Sequence, residues 1–211
     1  MTGILDDING SVQKGREKSV SDLIVAALED GVSARSILEE AMLPAMDTVG
    51  GKFKSGELFI PHVLMAAKAM KAGMAQLRPY LVASDVKPKG TVVLGTVKGD
   101  LHDIGKNLVK MMMEGKGLDV VDLGVDVSAE KFVSAALENG AAVIGCSALL
   151  TTTMPEMKKV VELIKSENLS EKIKVMIGGA PVTQQYCDAI NADIYTPDAA
   201  SAAEAAFSAI V

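Results

Sequence analysis

The stretch Asp100-Leu101-His102-Asp103-Ile104-Gly105 holds the residues of this chain best suited to chemistry, and His102 is one of only two histidines. An apolar run, Thr91–Gly95, precedes it, and a helix-like segment, Lys106–Met113, follows. A strand therefore ends, the chain turns, and an imidazole is presented at the carboxyl edge of a sheet, where open α/β folds bind ligands. A carboxylate two residues before the histidine suits a partner that fixes the ring tautomer and raises its basicity toward a metal. Zinc would need three or four protein ligands. No second histidine lies nearby in sequence, and Cys146 and Cys187 form no CxxC pair. A macrocyclic cofactor supplies its own equatorial ligands and asks the protein for one axial nitrogen. On residue chemistry alone, His102 as axial ligand and His102 as a helix cap both remain open.

The elements that must position this stretch fall into two blocks. The first 80 or so residues read as helices only. Val20–Leu28 has helical apolar spacing, ending near Gly31. Ser33 reads as an N-cap for a long helix through Ile37, Leu38, Met42, Met46 and Val49, weakened at Gly50-Gly51, with Gly56 in a turn. Another helix opens at Pro61 and runs through Val63, Leu64, Met70 and Met74. Its methionines and those of the preceding helix suit the core of a small bundle. Ser84–Gly90, with its proline, glycine and charges, reads as a linker.

Beyond the linker, strands and helices alternate. The strands are Thr91–Gly95, Asp119–Leu123, Ala142–Cys146, Lys174–Ile177 and Asp193–Tyr195. The helices are Lys106–Glu114, Ala129–Glu138 with Ser128 as N-cap, Pro155–Ser166, Thr183–Ile190 and Ala199–Ile210. Five βα units imply an α/β fold, a parallel sheet with helices on both faces. The expected strand order is 2-1-3-4-5, the doubly wound order of flavodoxin-like sheets. Its switch point lies between the first and third strands, whose loops carry His102 and Ser147–Thr153. The expected domains are thus a helical one at 1–86 and an α/β one at 87–211.

Composition narrows the function classes. A formal charge of −6, no tryptophan, three tyrosines and four phenylalanines suit neither phosphate nor base recognition, so no nucleic-acid partner is expected. No apolar run approaches the ~20 residues of a membrane helix, and the first residues lack the pattern of a signal peptide. The expectation is a soluble cytoplasmic protein with reduced thiols and no membrane partner. Gly95, Gly99 and Gly105 miss the GxGxxG spacing, and Asn107 stands where a P-loop needs Ser or Thr. A phosphoacceptor domain would end its third strand in aspartate, whereas Cys146-Ser147 stands here.

Asp100-x-His102-x-x-Gly105, then Ser147-x-Leu149 with Thr151 and Thr153, then Gly178-Gly179, resembles the cobalamin-binding signature DxHxxG…SxL…GG. The segment Gly95–Val109 (GTVKGDLHDIGKNLV) is similar to the corrinoid proteins of methyltransferase systems, among them those for methanol, methylamines and O-demethylation. Gly51–Pro61 (GKFKSGELFIP) resembles the helical cap of those proteins and of the cobalamin module of methionine synthase. The resemblance covers nearly the whole chain, in the order cap, then cofactor domain.

It implies a base-off cobalamin with His102 as lower axial cobalt ligand and Asp100 on the other imidazole nitrogen. Thr153 would complete that relay where methionine synthase has a serine. Gly99, Asp100, Leu101, His102, Asp103, Ile104 and Gly105 would meet the cofactor. Ser147 and Thr151 would line the slot for its displaced nucleotide tail, Leu149 and Thr153 would also meet the cofactor, and Gly178 and Gly179 would let the backbone approach that tail. Gly178-Gly179 equally suits a tight turn. Proton uptake at the His102–Asp100 pair would loosen the axial bond and proton loss tighten it.

The helical domain would cover the upper cobalt face, with Phe59 touching it unless Phe59 packs in the bundle. His62, in the same helix, is expected to make a solvent or interhelix hydrogen bond rather than serve as an upper cobalt ligand. Ser84–Gly90 would be the tether that lets the cap move. The implied function is a methyl carrier between a substrate-specific methyltransferase and an acceptor methyltransferase using tetrahydrofolate or a thiol carrier, served by a reductive activator. The chain has no room for a substrate barrel of ~250 residues and would not catalyse either half-reaction alone. Two alternatives are the cobalamin subunit of a radical isomerase, which predicts no dedicated cap, and a cobalamin-dependent sensor, which predicts a DNA-binding element.

Overall fold

The structure is a computed structural model describing residues 2–84 and 87–211, so Asp85 and Val86 of the expected linker lie outside the described residues. The chain divides into two compact units, Met1–Lys87 and Pro88–Val211.

The first unit is helical. α1 (Thr2–Gln13) and α2 (Glu17–Glu29) are followed by α3 (Ala34–Ser36), a π-helical segment (Ile37–Met42), α4 (Leu43–Lys54) and α5 (Ile60–Ala83). Ser33 caps α3, its hydroxyl accepting the Ser36 N–H at 3.0 Å. The long helix expected from Ser33 is thus present, but wound wider over Ile37–Met42. Pro44 has no N–H and its ring crowds the carbonyl of Glu40, which explains the wider turn. The Leu43 N–H reaches back to Leu38 O. Gly50 and Gly51 lie inside α4. Ile8, Val12, Val20, Ile24, Ile37, Met42, Met46, Val63, Met70 and Leu77 form the unit's buried interior.

The second unit holds β1 (Thr91–Thr96), α6 (Ile104–Gly115), β2 (Asp119–Asp122), α7 (Ala129–Asn139), β3 (Val143–Ser147), α8 (Pro155–Ser166), β4 (Lys174–Gly178), α9 (Gln184–Ile190), β5 (Ile194–Tyr195) and α10 (Ala199–Ile210). All strands pair in parallel, in the order β2-β1-β3-β4-β5. Val92, Val93 and Leu94 of β1 and Val143 and Ile144 of β3 are buried in an unbroken apolar run rather than an alternating one, as a strand covered on both faces requires. Each such side chain contributes roughly 1.5–3 kcal/mol of burial.

Polar side chains start the helices where the sequence places them. Ser128 accepts the Lys131 N–H, Thr183 the Tyr186 N–H and Asp198 the Ser201 N–H. After β1 the chain leaves toward β2; after β2 it crosses back to β3 on the far side of β1. That reversal opens a crevice between the carboxyl ends of β1 and β3, where Thr96 stands opposite Ser147.

Candidate cofactor-binding site

The loop after β1 begins with a tight turn over Val97–Asp100, closed by the Asp100 N–H on the Val97 carbonyl at 3.1 Å. Gly99 is its third residue with φ +80°, a conformation that suits glycine there. The Val97 N–H bonds the Ser147 carbonyl at 3.0 Å and ties the turn to β3.

Asp100 then points inward and is 0% exposed. Its Oδ1 accepts His102 Nδ1–H at 2.7 Å and the His102 backbone N–H at 3.1 Å. Its Oδ2 accepts the backbone N–H of Leu149 at 2.8 Å and of Leu150 at 3.2 Å. Thr153 Oγ1 lies 2.9 Å from both Asp100 Oδ2 and the Leu150 carbonyl. A hydroxyl has one hydrogen, and the charged carboxylate is the stronger acceptor. Burial pushes the Asp100 carboxyl up, but the Leu149 amide, His102 and Thr153 together hold it far below the usual carboxylate range. The carboxylate is therefore charged, and the proton it shares with the ring sits on Nδ1.

That assignment decides what His102 can do. With Nδ1 donating to Asp100, the neutral ring carries its lone pair on Nε2. Nε2 makes no hydrogen bond among the described residues, and the side chain is 51% exposed. His102 is not the cap of α6, whose N-cap position is Asp103. The His102 carbonyl accepts Thr96 Oγ1–H at 2.8 Å. Every polar group of His102 except Nε2 is thus held. Among the described residues, no three His, Cys, Asp or Glu side chains cluster to hold a metal. His102 is a single outward-facing nitrogen donor.

Apart from Phe59, the other residues singled out in the sequence lie at the ends of β3 and β4, on the loops after β1, β3 and β4, or in the first turn of α6, at one edge of the sheet. Leu101 and Ile104 are 71% and 77% exposed, and Leu149 and Leu150 are also exposed, an apolar rim around the imidazole. Asp103 and Thr151 are exposed, and Ser147 is half-buried. The two glycines after β4 differ in kind. Gly179 has φ +135°, and a Cβ there would run into the Ala148 carbonyl oxygen, so the protein's own packing demands it. A Cβ on Gly178 would meet Thr196 alone, its carbonyl oxygen at 3.4 Å and its hydroxyl at 3.9 Å, both ordinary contacts. Gly105, in the first turn of α6, has open space around its missing Cβ. Nothing within the chain requires glycine at 105 or 178, so a ligand passing close to the backbone is a sufficient reason for both. One outward-facing ring nitrogen, an apolar rim and two uncrowded glycines fit cobalamin, which brings its own equatorial ligands.

Several positioning groups were not singled out from the sequence. Thr96 reads as an ordinary β-branched strand residue. The Leu149 and Leu150 amides carry no side-chain signal. Asp126, from the β2–α7 connection, accepts the Gly99 N–H at 2.7 Å. Lys106 is 1% exposed in its side chain and pairs with Asp122 Oδ1 at 2.6 Å, although lysine is normally a surface residue. In the helical unit Phe59 is 64% exposed. His62 Nδ1 accepts the Phe59 N–H at 3.2 Å and so caps the start of its own helix, with the side chain exposed.

Comparison with known proteins accords with this geometry. Residues 90–210 match a family model described as a B12 binding domain, and residues 4–78 match a second with the same description. The chain is 41% identical to a corrinoid protein, DSY3155, of Desulfitobacterium hafniense (strain Y51), over 96% of this chain and 95% of that one. It is 45% identical to dimethylamine corrinoid protein 1 of Methanosarcina acetivorans, over 86% and 87% respectively. Among solved structures, a cobalamin-binding protein from Desulfitobacterium hafniense DCB-2 aligns with a TM-score of 0.82 at 30% identity, covering 98% of each chain. A chain of the methanol:cobalamin methyltransferase complex MtaBC from Methanosarcina barkeri aligns at 0.89 and 32% identity, covering 99% of this chain and 80% of that one. The fold, the outward-facing imidazole and these matches agree: the chain belongs to the family of B12-binding corrinoid proteins of methyltransferase systems.

Proposed function

We propose that the protein is a methyl carrier, loaded by a substrate-specific methyltransferase and unloaded by an acceptor methyltransferase. The observation that carries this reading is the buried Asp100 carboxylate, which fixes the tautomer of His102 and leaves Nε2 as an outward lone pair. Bound cobalamin would supply the metal that takes and gives the methyl group. His102 Nε2 would hold that metal from below, and Asp100 with Thr153 would set how firmly the imidazole binds.

The carboxylate, already charged and enclosed by amides, does not compete for the proton. A proton taken up by the His102–Asp100 pair therefore goes to Nε2, where it removes the lone pair; its loss restores the ligand. The loops at Gly99–Gly105, Ser147–Thr153 and Gly178–Gly179 would receive the macrocycle and its displaced tail, with Leu101, Ile104 and Leu149 against apolar edges. The helical unit would cover the opposite metal face through Phe59. The segment from Ser84 to Gly90 would be the tether that lets it withdraw.

Relatives named for dimethylamine and a neighbour named for methanol support a small methylated substrate of that kind, chosen by the partner enzyme. The proposed acceptor enzyme serves tetrahydrofolate or a thiol carrier, and a reductive activator rescues oxidised protein. A cytoplasmic setting accords with Cys146 and Cys187, both buried and unpaired. Among the described residues, no helix is long and apolar enough to cross a membrane.

The test is reconstitution of the full chain with cobalamin, followed by methylation with candidate partner methyltransferases. The expected result is the spectrum of imidazole-bound cobalt with the cofactor's own base displaced, lost in His102→Ala, and methylation that depends on one partner and its substrate. Retention of the imidazole-bound spectrum in His102→Ala would overturn the assignment.

A further inference from the structure

The His102 loop is gripped from two directions by groups that do not touch the imidazole. From β1, Thr96 is fully buried and gives its hydroxyl hydrogen to the His102 carbonyl at 2.8 Å. That carbonyl precedes α6 but is not drawn into it, because the Asn107 N–H takes the Asp103 carbonyl at 2.8 Å. It would otherwise have no partner among the described residues. From the β2–α7 connection, Asp126 holds the turn ahead of Asp100 twice. Its carboxylate accepts the Gly99 N–H at 2.7 Å, and its own N–H bonds the Asp100 carbonyl at 3.0 Å. Asp126 does so with φ +56°, a left-handed conformation uncommon outside glycine, though Asp and Asn tolerate it best. The connection is seated on β1 by the Thr96 N–H on the Gly124 carbonyl and the Val127 N–H on the Thr96 carbonyl. Thr96 thus stands at the crossing of both grips.

We infer that Thr96 and Asp126 are positioning residues, a two-point clamp on residues 97–102 that sets the height and tilt at which His102 Nε2 meets the metal. The inference rests on the axial role proposed for His102. A ligand atom at the tip of a loop transmits any slack in its backbone to the metal bond. The Asp100 carboxylate, held by the Leu149 and Leu150 amides and Thr153, steadies the ring from one side, but it leaves the His102 carbonyl and the turn ahead of Asp100 to other groups. Thr96 and Asp126 tie that loop to β1 and to the neighbouring connection. The clamp therefore acts on ligation more than on folding.

The test uses the full chain loaded with cobalamin and labelled with 15N-histidine. The ratio of imidazole-bound to imidazole-free cobalt is read from the cobalt(II) paramagnetic spectrum and the visible spectrum. Thr96→Val keeps the β-branched shape and deletes the hydroxyl. Asp126→Gly keeps the left-handed backbone without strain and deletes the carboxylate. Each should lower the bound-to-free ratio about fivefold, the worth of one hydrogen bond felt at the ligand. Thr96→Ser and Asp126→Asn should restore most of it, and the unloaded deletion variants should lose no more than that same fivefold in their folding equilibrium, as read by urea unfolding. Unloaded Thr96→Val should also exchange amide hydrogens over residues 97–103 faster than the parent. An unchanged ratio in both deletion variants overturns the clamp and leaves the axial role standing, as does failure of the restoring variants. Absence of labelled imidazole on cobalt in the parent protein overturns both readings.

Discussion

Replacing Asp100 with asparagine tests the centre of the site with the smallest change of shape. In the parent, Oδ2 collects the Leu149 and Leu150 amides and the Thr153 hydroxyl, and Oδ1 collects the His102 amide and Nδ1. An asparagine has one oxygen for these two groups of donors. Three donors outweigh two, so the amide oxygen stays on the Leu149 side and the amide nitrogen turns toward His102. The His102 N–H then faces another donor. The ring can accept the new N–H at Nδ1 only by moving its own proton to Nε2, which removes the lone pair a metal needs.

Restoring the binding tautomer means losing that bond. A hydrogen bond to a charged group is worth about 1.5–3 kcal/mol. A central value of about 2 kcal/mol corresponds to a ~30-fold lower ratio of imidazole-bound to imidazole-free cobalt. Loss of a metal ligand's hydrogen-bonded carboxylate typically costs roughly 10- to 100-fold, in agreement. The assay is the visible spectrum of the loaded protein, with the cobalt(II) paramagnetic spectrum for nitrogen splitting, at constant pH. A ratio within about threefold of the parent, less than the worth of one hydrogen bond, would refute the tautomer argument.

The glycines after β1 and β4 should separate ligand approach from internal packing. Gly105→Ala should stabilise the unloaded protein by about 0.5 kcal/mol in urea unfolding, since alanine suits a helix better, while weakening cobalamin binding in a spectral titration. Gly179→Ala should destabilise the unloaded protein by about 2–3 kcal/mol, because its Cβ meets the Ala148 carbonyl. Asp122→Ala leaves the buried Lys106 ammonium without its carboxylate and should cost about 3 kcal/mol in the same measurement. Burial raises the Asp122 carboxyl, but Lys106 and the Gly124 amide outweigh it and hold the group below its ordinary value. A carboxyl depressed in the folded state contributes its stability above about pH 4 and loses it as pH falls toward the folded value. The stability gap between the parent and Asp122→Asn should therefore narrow on acidification from pH 6 to pH 3, as followed by urea titration at each pH. Phe59→Ala should leave the folding of the α/β unit unchanged and speed the reoxidation of reduced, loaded protein severalfold, as followed by absorbance.

Much of the fold was legible because its signals are local. Apolar runs, helical periodicity and helix caps, with Ser33 and Ser128 in place, mark the elements of the α/β unit to within a residue or two, whereas the pattern does not single out α1 and α2 opens three residues before the expected Val20. α8 and α10 begin and end where their patterns predict. The doubly wound order follows from the spacing of five βα units. The widened turn over Ile37–Met42 was not legible, because Pro44 disfavours regular winding without saying how the chain adapts. The second role of Gly178-Gly179 was not legible either. In sequence the pair is uniform; in space one glycine is required by Ala148 and the other is not.

The same division runs through the site. By itself the sequence determined the types and order of the chemical groups: a histidine two residues after an aspartate, hydroxyls after β3, and glycines at two loop ends. Those are properties of single segments. Only the tertiary structure decided which way they face and which state they hold. Asp100 is charged because amides from Leu149 and Leu150, about fifty residues away, enclose it. The proton lies on Nδ1 of His102 because that carboxylate is charged, and Nε2 is free because Thr96 and Asp100 take every other polar group of the residue. Hydrogen bonds among β1, the loop after β3 and the β2–α7 connection form only when the sheet brings them together, and the reactive nitrogen is selected by those bonds.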